Sequence, residues 1–126
     1  MHISKFQPVK LALSIVAVIT LSFGISGCAT TSIDAKNATA IVDVRTADEY
    51  AQGHLQGSVN IDVEQPDFQS QIQTLDKSGS YIVYCHSGRR AGIALDEMTQ
   101  LGFKHVVNAG GIDQAAQSTG LAIVTN

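Results

Sequence analysis

The sequence predicts an α/β fold: a small parallel β-sheet of four to five strands, flanked by helices on both faces. Three observations carry this. Short apolar runs at Ala40–Val44 and Tyr81–Tyr84 read as strands covered on both sides. Segments with helical spacing follow the runs, the clearest over Arg89–Leu101. Strands alternating with helices at this interval build parallel sheets. A chain of 126 residues has room for one such domain.

Taken in order, Ala40–Val44 is the first strand. Thr46-Ala47-Asp48-Glu49 then fits a capping box, Thr46 capping the first amides and Glu49 reaching back. That helix runs through Gln52 and stops at Gly53, with Arg45 expected to pair with Glu49 across the turn. Ser58–Asp62 is a second strand. Pro66 opens a helix at its first turn, with Phe68, Ile72 and Leu75 on one face. Tyr81–Tyr84 is the third strand. The helix over Arg89–Leu101 buries Ala91, Ala94, Leu95, Met98 and Leu101, and Gly102 ends it. Val106–Asn108 is a further strand, Gly110-Gly111 begins a last helical turn, and Gly120 precedes a terminal extended piece.

The N-terminus reads as an address. Lys5 and Lys10 precede the uncharged run Leu11–Phe23, which is short for a bilayer span of roughly 20 residues. A basic start followed by an apolar stretch matches a secretory signal. Ile25-Ser26-Gly27-Cys28 resembles the lipobox of bacterial lipoproteins. That resemblance implies a signal peptide over 1–27, cleavage before Cys28, and lipid on the Cys28 thiol. Multiple acyl chains would hold the protein stably on a membrane. The domain would then face the periplasm. Ala29 is not the Asp that retains such proteins at the inner membrane, which points to the outer one. The alternative is an uncleaved anchor helix over Leu11–Gly27. Residues 28–38 read as a tether and 39–126 as the domain.

Composition excludes other classes. Residues 28–126 carry six Lys+Arg against eleven Asp+Glu, a net charge of −5, so no basic nucleic-acid footprint exists. Seven aromatics without Trp give no base-stacking surface. Two cysteines make no disulfide framework, and with Cys28 taken by lipid Cys85 is a solitary thiol. A monomer without a cofactor is expected.

Cys85 is where chemistry is expected. It ends a strand and is followed by His86-Ser87-Gly88-Arg89-Arg90 and then a helix, the place where ligands bind in open α/β sheets. Helix amides and two arginines favour a thiolate, the reactive form. A loop containing Gly88 can curl its N–H groups inward as an anion nest. The alternatives are an inert buried Cys at a strand end and a Cys85–His86 metal pair, the latter lacking a third ligand nearby in sequence.

At these residues the chain resembles the rhodanese (thiosulfate sulfurtransferase) domain over roughly Thr39 to Val124. The resemblance rests on Ile41-Val42-Asp43-Val44-Arg45 with Glu49-Tyr50 and Gly53-His54-Leu55-Gln56-Gly57-Ser58. It rests equally on Val83-Tyr84-Cys85-His86-Ser87-Gly88-Arg89-Arg90, and on Leu101-Gly102-Phe103-Lys104-His105-Val106 leading to Gly110-Gly111-Ile112. It implies that Cys85 attacks the outer sulfur of thiosulfate, becomes a persulfide and releases sulfite. Cyanide or a thiol then accepts the sulfur. His86, Ser87, Gly88, Arg89 and Arg90 would bind the substrate, the amides cradling the persulfide and the guanidinium groups drawing the anionic donor.

Rival readings are a persulfide carrier that passes sulfur only to a protein, and an arsenate or phosphate-ester enzyme. The Cys-based phosphatases place Arg after five intervening residues, whereas Arg90 follows four. The doubled Arg favours thiosulfate over 3-mercaptopyruvate. Asp43 and Arg45 read as structural, His54 as ordering its loop, His86 as tuning the thiolate or facing solvent, His105 as surface and Tyr84 as packing. Two positions depart from the family pattern. Ala115 stands where Trp is frequent, which removes a large hydrophobe from the last helix, and Ala91 stands where Ser is frequent.

Overall fold

The computed structural model describes residues 31–126, so the expected signal peptide over 1–27 and the expected lipid site Cys28 lie outside the described residues. The chain runs β1 (Ala40–Asp43), α1 (Ala47–Gln52), β2 (His54–Leu55), β3 (Val59–Asn60), α2 (Phe68–Gln73), β4 (Ser80–Cys85), α3 (Arg89–Gln100), β5 (His105–Gly111), α4 (Ile112–Thr119) and β6 (Ile123–Val124).

Four strands form one parallel sheet in the order β3-β1-β4-β5. This parallel α/β arrangement follows from burial on both faces. Along β1 and β4 successive side chains alternate between two cores. Val42, Val44, Tyr81, Val83 and Cys85 pack with Phe68 and Ile72 of α2 and with Ala91, Ala94 and Met98 of α3. Ile41, Ile82 and Tyr84 point the other way, onto Leu55, Ala109 and Ala115 of α4. With both faces covered, an apolar run such as Tyr-Ile-Val-Tyr loses nothing by lacking polar alternation.

Several boundaries differ from the sequence expectation. The second strand is only Val59–Asn60, because Asn60 turns its side-chain amide onto the Asp43 and Arg45 carbonyls, at 3.0 and 2.8 Å. Helix α2 starts at Phe68, since Pro66 sits in the turn before it. Leu95 and Leu101 are half-buried rather than buried. His54–Leu55 is a short strand, paired antiparallel with the terminal Ile123–Val124 as a second sheet. Helix α4 forms without a large hydrophobe at 115. Ala115 is fully buried there beside Ala109, so two small residues bring the helix close to the sheet.

The segment before β1 runs along the β5 and α4 side. Thr31 and Ile33 share a hollow with Asn108 and Gly110, at the carboxyl end of β5. The Ile33 N–H donates to the Ser118 carbonyl at 2.8 Å, and Asn37 and Ala38 lie beside Ser80 and His105, where β4 and β5 begin. The chain thus enters at one end of the strands and starts β1 at the other.

Candidate active site

Cys85 is the last residue of β4, a central strand, and its side chain is fully buried. The chain then leaves the sheet. His86, Ser87 and Arg89 are exposed, while Gly88 and Arg90 are half-buried. Gly88 adopts φ +95° to turn into α3, a conformation that favours glycine. Its N–H donates to Cys85 Sγ at 2.9 Å. An N–H aimed at sulfur suits a thiolate, which can only accept. No side chain caps α3, so its first N–H groups are left for whatever occupies the loop. The loop from Cys85 to Arg90 is therefore a cradle with one backbone donor, the Gly88 N–H, on the sulfur and the uncapped start of α3 beside it.

The floor of the cradle is glycine. Strand β5 carries a bulge, since Val83 faces Asn108 but Cys85 faces Gly111. A Cβ on Gly111 would run into the His86 carbonyl oxygen, and one on Gly88 would lie 3.3 Å from the Gly110 Cα. The close approach of loop and strand therefore needs both positions bare. Asn108 and Gln114 take the N–H groups of Gly110 and Gly111 at 2.8 and 3.1 Å.

The two arginines have different surroundings. Arg90 makes a bidentate pair with Glu49, 2.7 and 2.9 Å, with Glu64 at 3.8 Å. Glu49 also accepts from the Thr46 amide and hydroxyl, at 3.1 and 3.0 Å, so the expected capping box is present. The Arg90 hydrogen bonds pull the Glu49 carboxyl down to about 2, and Glu49 in turn raises the Arg90 guanidinium. Arg89 is exposed and pairs with no acid among the described residues.

The expected Arg45–Glu49 pair does not form. Arg45 instead pairs with Asp43, Nη2 to Oδ2 at 2.6 Å, and donates to the Gly53 carbonyl at 2.6 Å. The physical reason is burial: Asp43 is fully buried and needs a counter-charge beside it, while Glu49 is already taken by Arg90.

Tyr84 and His54 order the segment between α1 and β3. The Tyr84 hydroxyl accepts from the Leu55 N–H at 2.9 Å and shares a hydrogen bond with Ser58 at 3.0 Å. Burial pushes the phenol up to about 12. His54 stacks on Tyr50 at 3.8 Å and bonds the Tyr50 carbonyl through Nδ1 at 2.8 Å, so it orders its loop. Beside the cradle an open hollow of about 390 Å³ is lined by His86, Glu49, Ile112, Asp113 and Ile123. Among the described residues no group of three or more His, Cys, Asp or Glu could hold a metal.

The sequence reading left Asn108 as a strand residue and gave Glu49 the wrong salt-bridge partner. An Asn two residues ahead of a Gly is a turn signal that could have flagged the first. Nothing local could have flagged the second, because Arg90 lies 41 positions away.

The family model described as "Rhodanese-like domain" matches residues 29–117. The chain is similar to thiosulfate sulfurtransferase PspE of Escherichia coli, 36% identical over 75 residues, which span 60% of this chain and 72% of that one. Two further relatives, from Bacillus subtilis and Schizosaccharomyces pombe, are matched over only 40% and 58% of their own lengths. Among solved structures, a rhodanese with anions from E. coli superposes with a TM-score of 0.56 at 30% identity, over 69% of this chain and 98% of that one. A rhodanese-related protein from Thermoplasma volcanium gives 0.61 at 26% identity, over 76% and 99%.

Proposed function

The chain belongs to the rhodanese-like domain family, and from that premise we propose that it is a thiosulfate sulfurtransferase working through a Cys85 persulfide. One observation carries the reading: a buried Sγ at the end of a central strand, with the Gly88 N–H on it at 2.9 Å, beneath the uncapped start of α3. Such a site stabilises negative charge on sulfur before and after transfer.

The Cys85 thiolate attacks the outer sulfur of thiosulfate, forming a new S–S bond. The old S–S bond breaks and its electron pair leaves with sulfite. The persulfide anion then sits among the amides of residues 86–90. Cyanide, or the thiolate of a thiol, attacks the terminal sulfur and takes it away as thiocyanate or a new persulfide, returning the Cys85 thiolate. Arg89 draws the anionic donor to the mouth. Arg90, already bound to Glu49, steadies the first turn of α3.

The proposal extends to placement: a signal peptide over 1–27, lipid on Cys28, and a membrane-anchored domain facing the periplasm, at the outer membrane in a Gram-negative cell.

Intact-protein mass spectrometry after thiosulfate tests the chemistry. Wild type gains one sulfur atom that cyanide removes, and Cys85→Ser gains none; an unchanged wild-type mass overturns the mechanism. The mass of the natively expressed protein tests the anchor. Loss of 1–27 with added acyl chains supports it, and an intact unmodified Met1 terminus overturns it.

A further inference from the structure

The cradle depends on a residue outside it. Gly88 gives the N–H that meets Cys85 Sγ, yet glycine is the residue least able to hold its own dihedral angles. Its carbonyl accepts two hydrogen bonds. One comes from the Gly92 N–H within α3, at 3.0 Å, and the other from Asn108 Nδ2 on β5, at 3.1 Å. The same Asn108 side chain accepts the Gly110 N–H at Oδ1, 2.8 Å away, closing an Asx turn across the β5 bulge. Chemistry fixes which way this amide points. The Gly110 N–H can only donate and the Gly88 carbonyl can only accept, so Oδ1 must face the first and Nδ2 the second.

One half-buried side chain therefore joins the bulge that forms the cradle's floor to the glycine that forms its donor. Within α3 the Gly92 bond alone would tie Gly88 only to the first turn of an uncapped helix. The Asn108 bond ties it to the sheet instead. The Arg90–Glu49 pair holds α3 two residues further on and does not reach Gly88.

We propose that Asn108 is a positioning residue for sulfur transfer, anchoring Gly88 so that its N–H stays on the Cys85 sulfur. The proposal rests on the sulfurtransferase reading. Asn108 has no recorded bond to Sγ and acts through Gly88.

The test uses the full chain carrying Asn108→Ala, with Val107→Ala as the control. Val107 is 45% exposed on the same strand, so its loss weakens β5 without touching the cradle. Three quantities are read: the rate of persulfide formation at saturating thiosulfate, the thiosulfate concentration at half-saturation, and the pH profile of Cys85 alkylation by iodoacetamide. His86, Arg89 and Arg90 of the loop and α3, Asp48, Glu49 and Tyr50 of α1, and Glu64 and Asp113 beside them are the same in all variants.

Asn108→Ala is expected to lower the saturated rate about tenfold, with half-saturation changing by less than about twofold. Its alkylation profile moves to higher pH, while Val107→Ala matches wild type in all three. A folded Asn108→Ala with wild-type rate and profile overturns the proposal, as does Val107→Ala showing the same losses. Should Asn108→Ala not fold, Asn108→Thr carries the same expectation. Its hydroxyl can still accept from Gly110, but it has no amide to reach Gly88. Should wild type take no sulfur from thiosulfate, the sulfurtransferase reading falls and the alkylation profile decides alone. A move to higher pH then supports the anchor, and no move overturns it.

Discussion

Glu49 and Arg90 lie 41 positions apart and meet in a bidentate pair that straps the first turn of α3 to the first turn of α1. The strap runs over the carboxyl ends of β1 and β4, so the two helices that follow these strands are fixed to one another at the cradle's rim. Planar guanidinium and carboxylate groups match in this geometry, which lysine could not reproduce. It also means that a positive charge beside Cys85 is already answered by a negative one.

The pair predicts a pH dependence. The Glu49 carboxyl falls from 4.5 to about 2 in the folded protein, so the strap's contribution is fully present above the unfolded value and is lost as pH falls toward 2. Its size is about 1 kcal/mol or less, because the Glu49 side chain is one-third exposed. Urea midpoints of wild type and Glu49→Gln should differ most above pH 5 and converge by pH 2. A gap that stays constant over that range contradicts the assignment.

Among the described residues Arg89 pairs with no acid, so on the proposed mechanism it would meet an incoming anion. Arg89→Ala should raise the thiosulfate half-saturation about three- to tenfold at low salt, with little change in the saturated rate. The defect should shrink as salt screens the wild-type advantage. Steady-state kinetics at two ionic strengths check this, and equal defects at both would exclude a steering role.

Gly111 has no room for a methyl group, since its Cβ would meet the His86 carbonyl. Gly111→Ala should push the loop off β5 and slow persulfide formation about a hundredfold. The accompanying loss of stability should be only about 1–3 kcal/mol. Single-turnover mass spectrometry and a denaturation curve together separate the two effects.

Arg45 is the counter-charge to a fully buried carboxylate. Arg45→Ala should cost about 3–5 kcal/mol, because it strands Asp43 without a partner. Arg45→Ala with Asp43→Ala should recover part of that loss. A double variant no better than the single one would show that packing, not charge, was at stake.

Much of the fold was legible because local and global signals agree. The capping box at Thr46 and Glu49 needs only four residues, and the apolar run at Tyr81–Tyr84 already states that both faces are covered. Cys85 stood out because glycine and two arginines follow it. Most of the misses come from distance along the chain. The β2–β6 pair is two residues on each side and brings His54 opposite Val124, too short for any periodicity to show. The Arg45 and Glu49 side chains each had an acid or a base nearby in sequence, and burial of Asp43 decided between them. The β5 bulge hides in an ordinary Asn-Ala-Gly-Gly, whose role appears only when the loop after β4 is laid upon it.

The direction in which the chain enters the fold has a bearing on where sulfur would be handed over. Thr31 lies beside Gly110, under the same end of the sheet as Cys85. Three residue steps separate Thr31 from Cys28, a reach of at most roughly 10 Å. An anchor at Cys28 would thus leash the domain by its reactive end, on a tether shorter than the domain is wide. The cradle would look out along the bilayer rather than into open solution. Its partners would then be met at the lipid surface, where a short leash turns a dilute encounter into a near-neighbour one.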